Sequence, residues 1–493
     1  MTTGQELRAL LRLRGLQVFA LALLLGLAGW RAFQLKFSVL DLDIWWHLKT
    51  GDWIVQHFAV PHTGILSRTA ANRPWVAYSW GYEVMLSRAY AWFGLLGIGM
   101  FGTLLTIAIV YAVYWMARRL SGRFWISCLL AVATCAAFLF DLMPRPVFLS
   151  IVLFTVTLTL ILNAQRTGRV QTLYWLPLIF LCWANLHIQF IYGLFLVGLL
   201  LGVNLVERGA ARLGISSTVL QSPILPAGPL AMLFSACVAA TLIGPYSYHL
   251  YRVIAEYSRA KVAYSAIVEL QPLSFRVYSN YVVLLLAGAA FYAVGWQKRI
   301  NLFKLGLLTI GSVVAFRTMR DAWFICVPAA ACLADTSVDD TEREPQESRF
   351  ELAGVIAIAA LAMVLFAREA EFNNRGLDRV ITGNFPVYAV NFLRRNPQPG
   401  PLYNTFDWGG FLMWYMPQSP VSIDGRNDLY GDEFDARYFQ TQGGEPSYKT
   451  DPTLRESGVI LLRKTDGLVY ALDLDANFRK IYEDELATVF VRR

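Results

Sequence analysis

Long, uninterrupted apolar runs limit what this chain can fold into more than any other feature. A membrane-spanning helix needs about 20 predominantly apolar residues. A spanning barrel strand instead alternates apolar and polar residues over about 10. The runs here are continuous, so helices are expected, and 493 residues leave room for roughly ten of them plus a polar remainder. Composition agrees: 56% of residues are hydrophobic and 16% charged, whereas a soluble domain carries about 25% charged residues. A soluble enzyme and a disordered chain are both excluded. The formal charge of +8 needs no nucleic acid, because Lys and Arg concentrate in the cytoplasmic loops of membrane proteins. Cys128, Cys135, Cys182, Cys237, Cys326 and Cys332 lie in apolar runs without metal-site spacing and read as small packing residues. The first apolar run lacks a small-residue cleavage site and reads as a retained span.

Eleven spans are predicted, at 16–35, 93–117, 124–141, 146–163, 171–185, 188–206, 229–245, 278–296, 302–316, 321–335 and 351–367. The fifth and sixth form a hairpin around the polar break Asn185-Leu186-His187-Ile188-Gln189. Basic residues before the first span and after the second, fourth, sixth and eighth fall on one side, which the positive-inside rule makes cytoplasmic. The acidic loop 335–350 breaks that pattern, but acidic residues weigh little in the rule. Residues 36–92 and the tail from about 370 then lie outside. The expected domains are 1–368, a transmembrane domain containing the first outer loop, and 369–493, a small extracytoplasmic α/β domain. Residues 211–228 read as a cytoplasmic linker.

The first outer loop carries Asp41-Leu42-Asp43 just beyond the first span. Two carboxylates at this spacing can share a divalent cation, Mg or Mn, or act as a general base and its orienter. They can equally be a solvated loop start and an N-cap. A helix is expected from Asp43, with Ile44, Leu48, Val55 and Phe58 on one face, His47 one turn after Asp43, and tryptophans suited to the headgroup layer. A second such helix is expected over 76–92.

More polar residues map to the same outer side: Arg145, Asn185, His187, Gln189, His249, Glu256, Glu269, Arg317, Arg320 and Asp321. Snorkelling or loop solvation explains any one of them. Gathered at one face, arginines suited to phosphate, histidines and carboxylates point to substrate binding. Arg317 and Asp321, four residues apart, are expected to pair along a helix, which leaves Arg320 to face an anion. In the tail, Val459–Leu462, Leu468–Leu472 and Ala487–Val491 read as strands, and 384–396 and 450–456 as helices. Asp407 and Trp408 are candidates to face the site, and Asp424 and Arg426 to bind substrate or to pair and fix a loop.

An outer Asp-x-Asp after the first span, two interfacial helices, about eleven spans and an outside α/β tail together resemble the GT-C superfamily of integral membrane glycosyltransferases. These include protein mannosyltransferases, the aminoarabinose transferase of lipid A and oligosaccharyltransferase. The resemblance implies a polyprenyl-phosphate-linked sugar donor and a glycan, lipid or protein acceptor at the outer face of a bacterial inner membrane. It implies inverting transfer, with Asp41 or Asp43 catalytic or metal-holding and Arg317 and Arg320 near the donor phosphate. Phe406-Asp407-Trp408-Gly409 is faintly similar to the acceptor motif of oligosaccharyltransferase. A lipid-linked saccharide transporter or flippase and a non-catalytic polysaccharide-assembly protein are the alternatives. A transporter predicts pseudo-repeats and broken midplane helices, which the sequence does not display.

Overall fold

The computed structural model describes residues 4–35, 37–139, 143–213, 225–257, 267–336 and 344–493. It is mostly helical, with one small sheet near the C-terminus. Each expected span corresponds to a helix: Gly4–Leu35 (α1), Leu95–Ser121, Phe124–Phe138, Val147–Thr167, Leu176–Leu186, Phe190–Arg212, Ala227–Thr241, Tyr278–Gly295, Leu302–Arg317, Trp323–Thr336 and Arg349–Glu369. Among the described residues, six helices are long and apolar enough to cross a membrane, as a multi-pass membrane protein requires. Most of the linker 211–228 and the middle of the loop 335–350 fall outside the described residues.

The chain divides into two compact units, each discontinuous in sequence. The helical unit comprises Met1–Leu35, Gly102–Gly244 and Glu269–Ala370. Its central helix, Trp323–Thr336, is buried along almost its whole length and contains Pro328. It packs against Phe124–Phe138, Tyr278–Gly295 and Leu302–Arg317. At another contact, α1 lies along Arg349–Glu369. A Cβ on Gly29 would come within 3.0 Å of the Met363 side chain, so a small residue lets these two helices approach closely. The expected hairpin forms, with the break at 187–189 between Leu176–Leu186 and Phe190–Arg212.

The second unit comprises Lys36–Phe101, Pro245–Val268 and Glu371–Arg493. It contains a short helix Phe37–Leu40 (α2), Ile44–His57 (α3) and Trp80–Phe93 (α4). The helix α3 packs on α4 and on Gly409–Tyr415. The approach to α4 is backbone on backbone, since a Cβ on Gly51 would lie 1.9 Å from the Glu83 carbonyl oxygen. Trp45 and Trp46 are therefore buried. Trp45 meets Phe385, Phe411 and Tyr415 edge-on, with ring centroids 5.6–5.8 Å apart. The expected apolar face is corrected at its end. Phe58 leaves the helix with φ 52° and is 94% exposed, and Ile54 supplies the last buried contact instead.

The sheet has the order β1-β2-β4-β3, from Leu402–Asn404 (β1), Val459–Arg463 (β2), Phe478–Glu483 (β3) and Ala487–Arg492 (β4). β1 runs parallel to β2, and the other pairs are antiparallel. The strand expected at Leu468–Leu472 is a helix, Gly467–Asp473. Leu468, Val469 and Leu472 are its buried residues, a helical spacing that a short apolar run does not distinguish from a strand.

Candidate functional site

In the second unit the sequence brings Asp41, Asp43, His47, Asp424 and Arg426 into one neighbourhood. Asp43 stands at the N-cap of α3, yet its side chain makes no capping bond. Its Oδ1 instead accepts from Trp46 Nε1 at 3.1 Å. Asp41 is buried, and its Oδ1 accepts the Asp43 backbone N–H at 3.1 Å. Asp43 is only partly buried, so it is the more accessible of the two carboxylates. On its other side lies the tail, where a Cβ on Gly425 would sit 2.1 Å from Asp43 Oδ1.

His47 is buried one turn further along α3, with Nδ1 3.0 Å from Glu83 Oε1 of α4. The His47 ring packs on Trp46, centroids 3.6 Å apart and planes tilted by 31°. Burial pushes the Glu83 carboxyl well above its ordinary range. Arg426 counters this in part, and Asp428 adds to it. Glu83 was not singled out from the sequence, although it is the acidic residue in the first turn of α4. A lone acid in a turn otherwise bound for the core was the available signal.

Asp424 and Arg426 form a fully buried bidentate pair. Arg426 Nε and Nη2 donate to the two carboxylate oxygens, each at 2.7 Å, and Tyr430 OH donates to Asp424 Oδ2 at 2.7 Å. The guanidinium lies over the Trp75 ring at 4.6 Å, and its Nη2 also donates to the Ile65 carbonyl at 3.0 Å. These contacts make the loop-fixing role. Asp407 pairs with Arg463 at 2.9 Å, whose guanidinium covers the buried Trp408 ring. His249 is exposed and contacts the Tyr246 carbonyl through Nδ1 at 3.0 Å. Glu256 pairs with Arg252.

In the helical unit, Arg145 binds Glu269 at 2.9 Å, and Arg320 lies 3.8 Å from the same carboxylate. Burial would raise the Glu269 carboxyl, but Arg145 and then Arg320 bring it below its ordinary value. Gln189 Nε2 donates to Asp321 Oδ1 at 3.1 Å, and Thr318 Oγ1 to Oδ2 at 2.8 Å. The continuous helix on which an Arg317–Asp321 pair was expected is broken. The helix stops at Arg317, and Thr318 is extended, with φ −140° and ψ 127°, so the two residues do not share a helical face. His187 Nδ1 lies 2.8 Å from Ser150 Oγ, to which Trp183 Nε1 also donates. Burial, aided by Arg320, lowers the His187 imidazole to about 3, so the ring is neutral. Asn185 Nδ2 donates to the Leu181 and Ile243 carbonyls and so fastens the end of Ala227–Thr241.

Asp41 and Asp43 each turn an oxygen to an N–H donor, and among the described residues no group of three or more His, Cys, Asp or Glu could hold a metal. The cysteines present among the described residues are unbridged thiols.

No family model and no curated protein matches the sequence. Solved structures do. The Archaeoglobus fulgidus oligosaccharyltransferase in its apo form matches with a TM-score of 0.53 at 11% identity, over 90% of this chain and 69% of that one. The same enzyme tethered to an acceptor peptide with the NVT sequon matches with a TM-score of 0.50 at 10% identity, over the same shares. ArnT from Cupriavidus metallidurans bound to undecaprenyl phosphate gives 0.47 at 13% identity, over 96% of this chain and 97% of that one. At this identity the likeness is one of fold, and the chain is similar in fold to the archaeal oligosaccharyltransferase over 90% of its length.

Proposed function

We propose that this protein transfers a sugar from a polyprenyl-phosphate-linked donor to an acceptor at the outer face of a bacterial inner membrane, with Asp43 as the acceptor's base. The observation that carries this is the setting of Asp43. It is a part-exposed carboxylate held by a neutral indole N–H, on a GT-C fold. A base must be within hydrogen-bond reach of the proton it takes and remain able to take it. The indole N–H donor fixes the orientation of the carboxylate.

As the acceptor oxygen or nitrogen attacks the anomeric carbon, its proton passes to Asp43 and the bond from that carbon to the phosphate oxygen breaks. The phosphate leaves with the bonding electron pair. One displacement of this kind inverts the anomeric centre. Phosphate leaves readily, so the demand falls on the acceptor base and on cations meeting the departing charge. Asp41 holds the start of α3 through the Asp43 N–H.

The test is sugar transfer from a radiolabelled polyprenyl-phosphate hexose by purified protein. Asp43→Asn, folded as judged by thermal melting, is expected to lose about 10²–10⁴-fold in rate. Undiminished transfer in both Asp41→Asn and Asp43→Asn would overturn the assignment.

A further inference from the structure

The second unit carries a chain of contacts that ends on Asp43 and begins on a residue with no evident reason to be buried. Glu83 is 1% exposed. Its Oε1 meets His47 Nδ1, while Oε2 is buried and has no hydrogen-bond partner among the described residues. A buried carboxyl of this kind costs stability, and an apolar residue would pack the α3–α4 contact at less cost. What the carboxyl does is orient His47. The His47 ring packs on Trp46 with centroids 3.6 Å apart and planes tilted by 31°, and Trp75 closes on Trp46 edge-on at 6.3 Å. The Gly425 backbone sits on the indole's N–H edge, where a Cβ would be 3.2 Å from Trp46 Nε1. The indole is thereby held with its single donor on Asp43 Oδ1.

We propose that Glu83 is a positioning residue which, through the His47 ring packed on Trp46, fixes the orientation of the Asp43 carboxylate. This rests on the transferase function proposed above. Its physical content is independent of the sugar, because Glu83 touches neither donor nor acceptor in that scheme. Catalytic groups lose rate steeply when displaced, by about 10²-fold for 1 Å, so a supporting contact two residues removed is felt at the reacting atom.

Two readouts on the full-length protein test it. The first is the Trp46 indole ¹⁵N–¹H resonance, identified by its loss in Trp46→Phe. Glu83→Leu is expected to shift that resonance, as Asp43→Ala does. The second is transfer from the polyprenyl-phosphate hexose. Glu83→Leu is expected to lower kcat by about 10–100-fold with KM unchanged, and Glu83→Gln, which can still bond His47, to restore most of it. If Glu83→Leu does not fold, Glu83→Asp, one methylene short of His47, replaces it in both measurements. An indole resonance that stays in place, or a kcat equal to wild type while Asp43→Asn is inactive, overturns the proposal. A shifted resonance in a protein that transfers no sugar even as wild type upholds the positioning chain and sinks the transferase function instead.

Discussion

Asp43 and Asp424 lie in one unit, each followed two or three residues later by the group that holds it, and their chemistry is opposite. Asp424 is fully buried and receives both forks of Arg426 and the Tyr430 hydroxyl. Asp43 is part-exposed and receives a neutral indole N–H. Removing one partner of a buried ion pair leaves an uncompensated charge and costs about 3–5 kcal/mol. An aspartate so locked is a structural fastening and a poor base. An aspartate that accepts an indole N–H at its part-exposed carboxylate is oriented and still reachable. The kind of partner, more than the presence of an acid, separates the two roles.

The largest effect should come from treating both residues alike. Asp43→Asn is expected to abolish transfer with melting unchanged. Asp424→Asn should lower the melting temperature or prevent folding, by about 3–5 kcal/mol, with activity falling only as folded protein is lost. Swapped outcomes would erase the distinction. A second break comes from Gly425, whose missing side chain lets the tail reach Asp43. Gly425→Ala places a methyl against Asp43 Oδ1 and should cut kcat by about 10-fold or more while the protein still melts cooperatively.

A smaller effect concerns pH. The Glu269 carboxyl is held below its ordinary value by Arg145 and Arg320. Its contribution is therefore present above about pH 4.3, the unfolded value, and is lost as pH falls through the lower folded value. The melting temperatures of wild type and Glu269→Gln should differ at pH 6 and converge as the pH is lowered towards 3. The smallest effect is expected at Asp407, whose pair with Arg463 is about one-third exposed on each side and worth roughly 0–1 kcal/mol. Asp407→Asn should leave both melting and transfer within error of wild type. A lost transfer activity there would return Asp407 to the site.

The helices of the membrane region were legible because continuous apolar length is a one-dimensional property. Each expected span has its helix. The neighbourhood of Asp43 was legible only in part. Asp41, Asp43 and His47 are close in sequence, and their meeting follows from a helix start. Glu83 and Gly425 arrive from elsewhere in the chain, and a backbone contact at Gly51 carries no signature that spacing can reveal. Arg317 and Asp321 show the reverse failure. Their interval of four assumed a continuous helix, and one extended residue, Thr318, interrupts it.

The segment 61–76 has a consequence for how this protein is made. Ser67 bridges in parallel to Val421, Arg68 pairs with Glu456 at 3.0 Å, and Thr69 bonds the Ser422 carbonyl at 2.6 Å. The first loop therefore finds its partners in the last part of the chain to be synthesised. At about 5–20 residues per second, the ribosome needs on the order of 20–80 s to travel from Trp46 to Gly425. Throughout that interval two tryptophans and the carboxylates of the first loop await the segment that encloses them. Insertion into the membrane and completion of the outer unit are thus separate events in time, and a chain truncated before the tail would be delivered with its reactive loop uncovered.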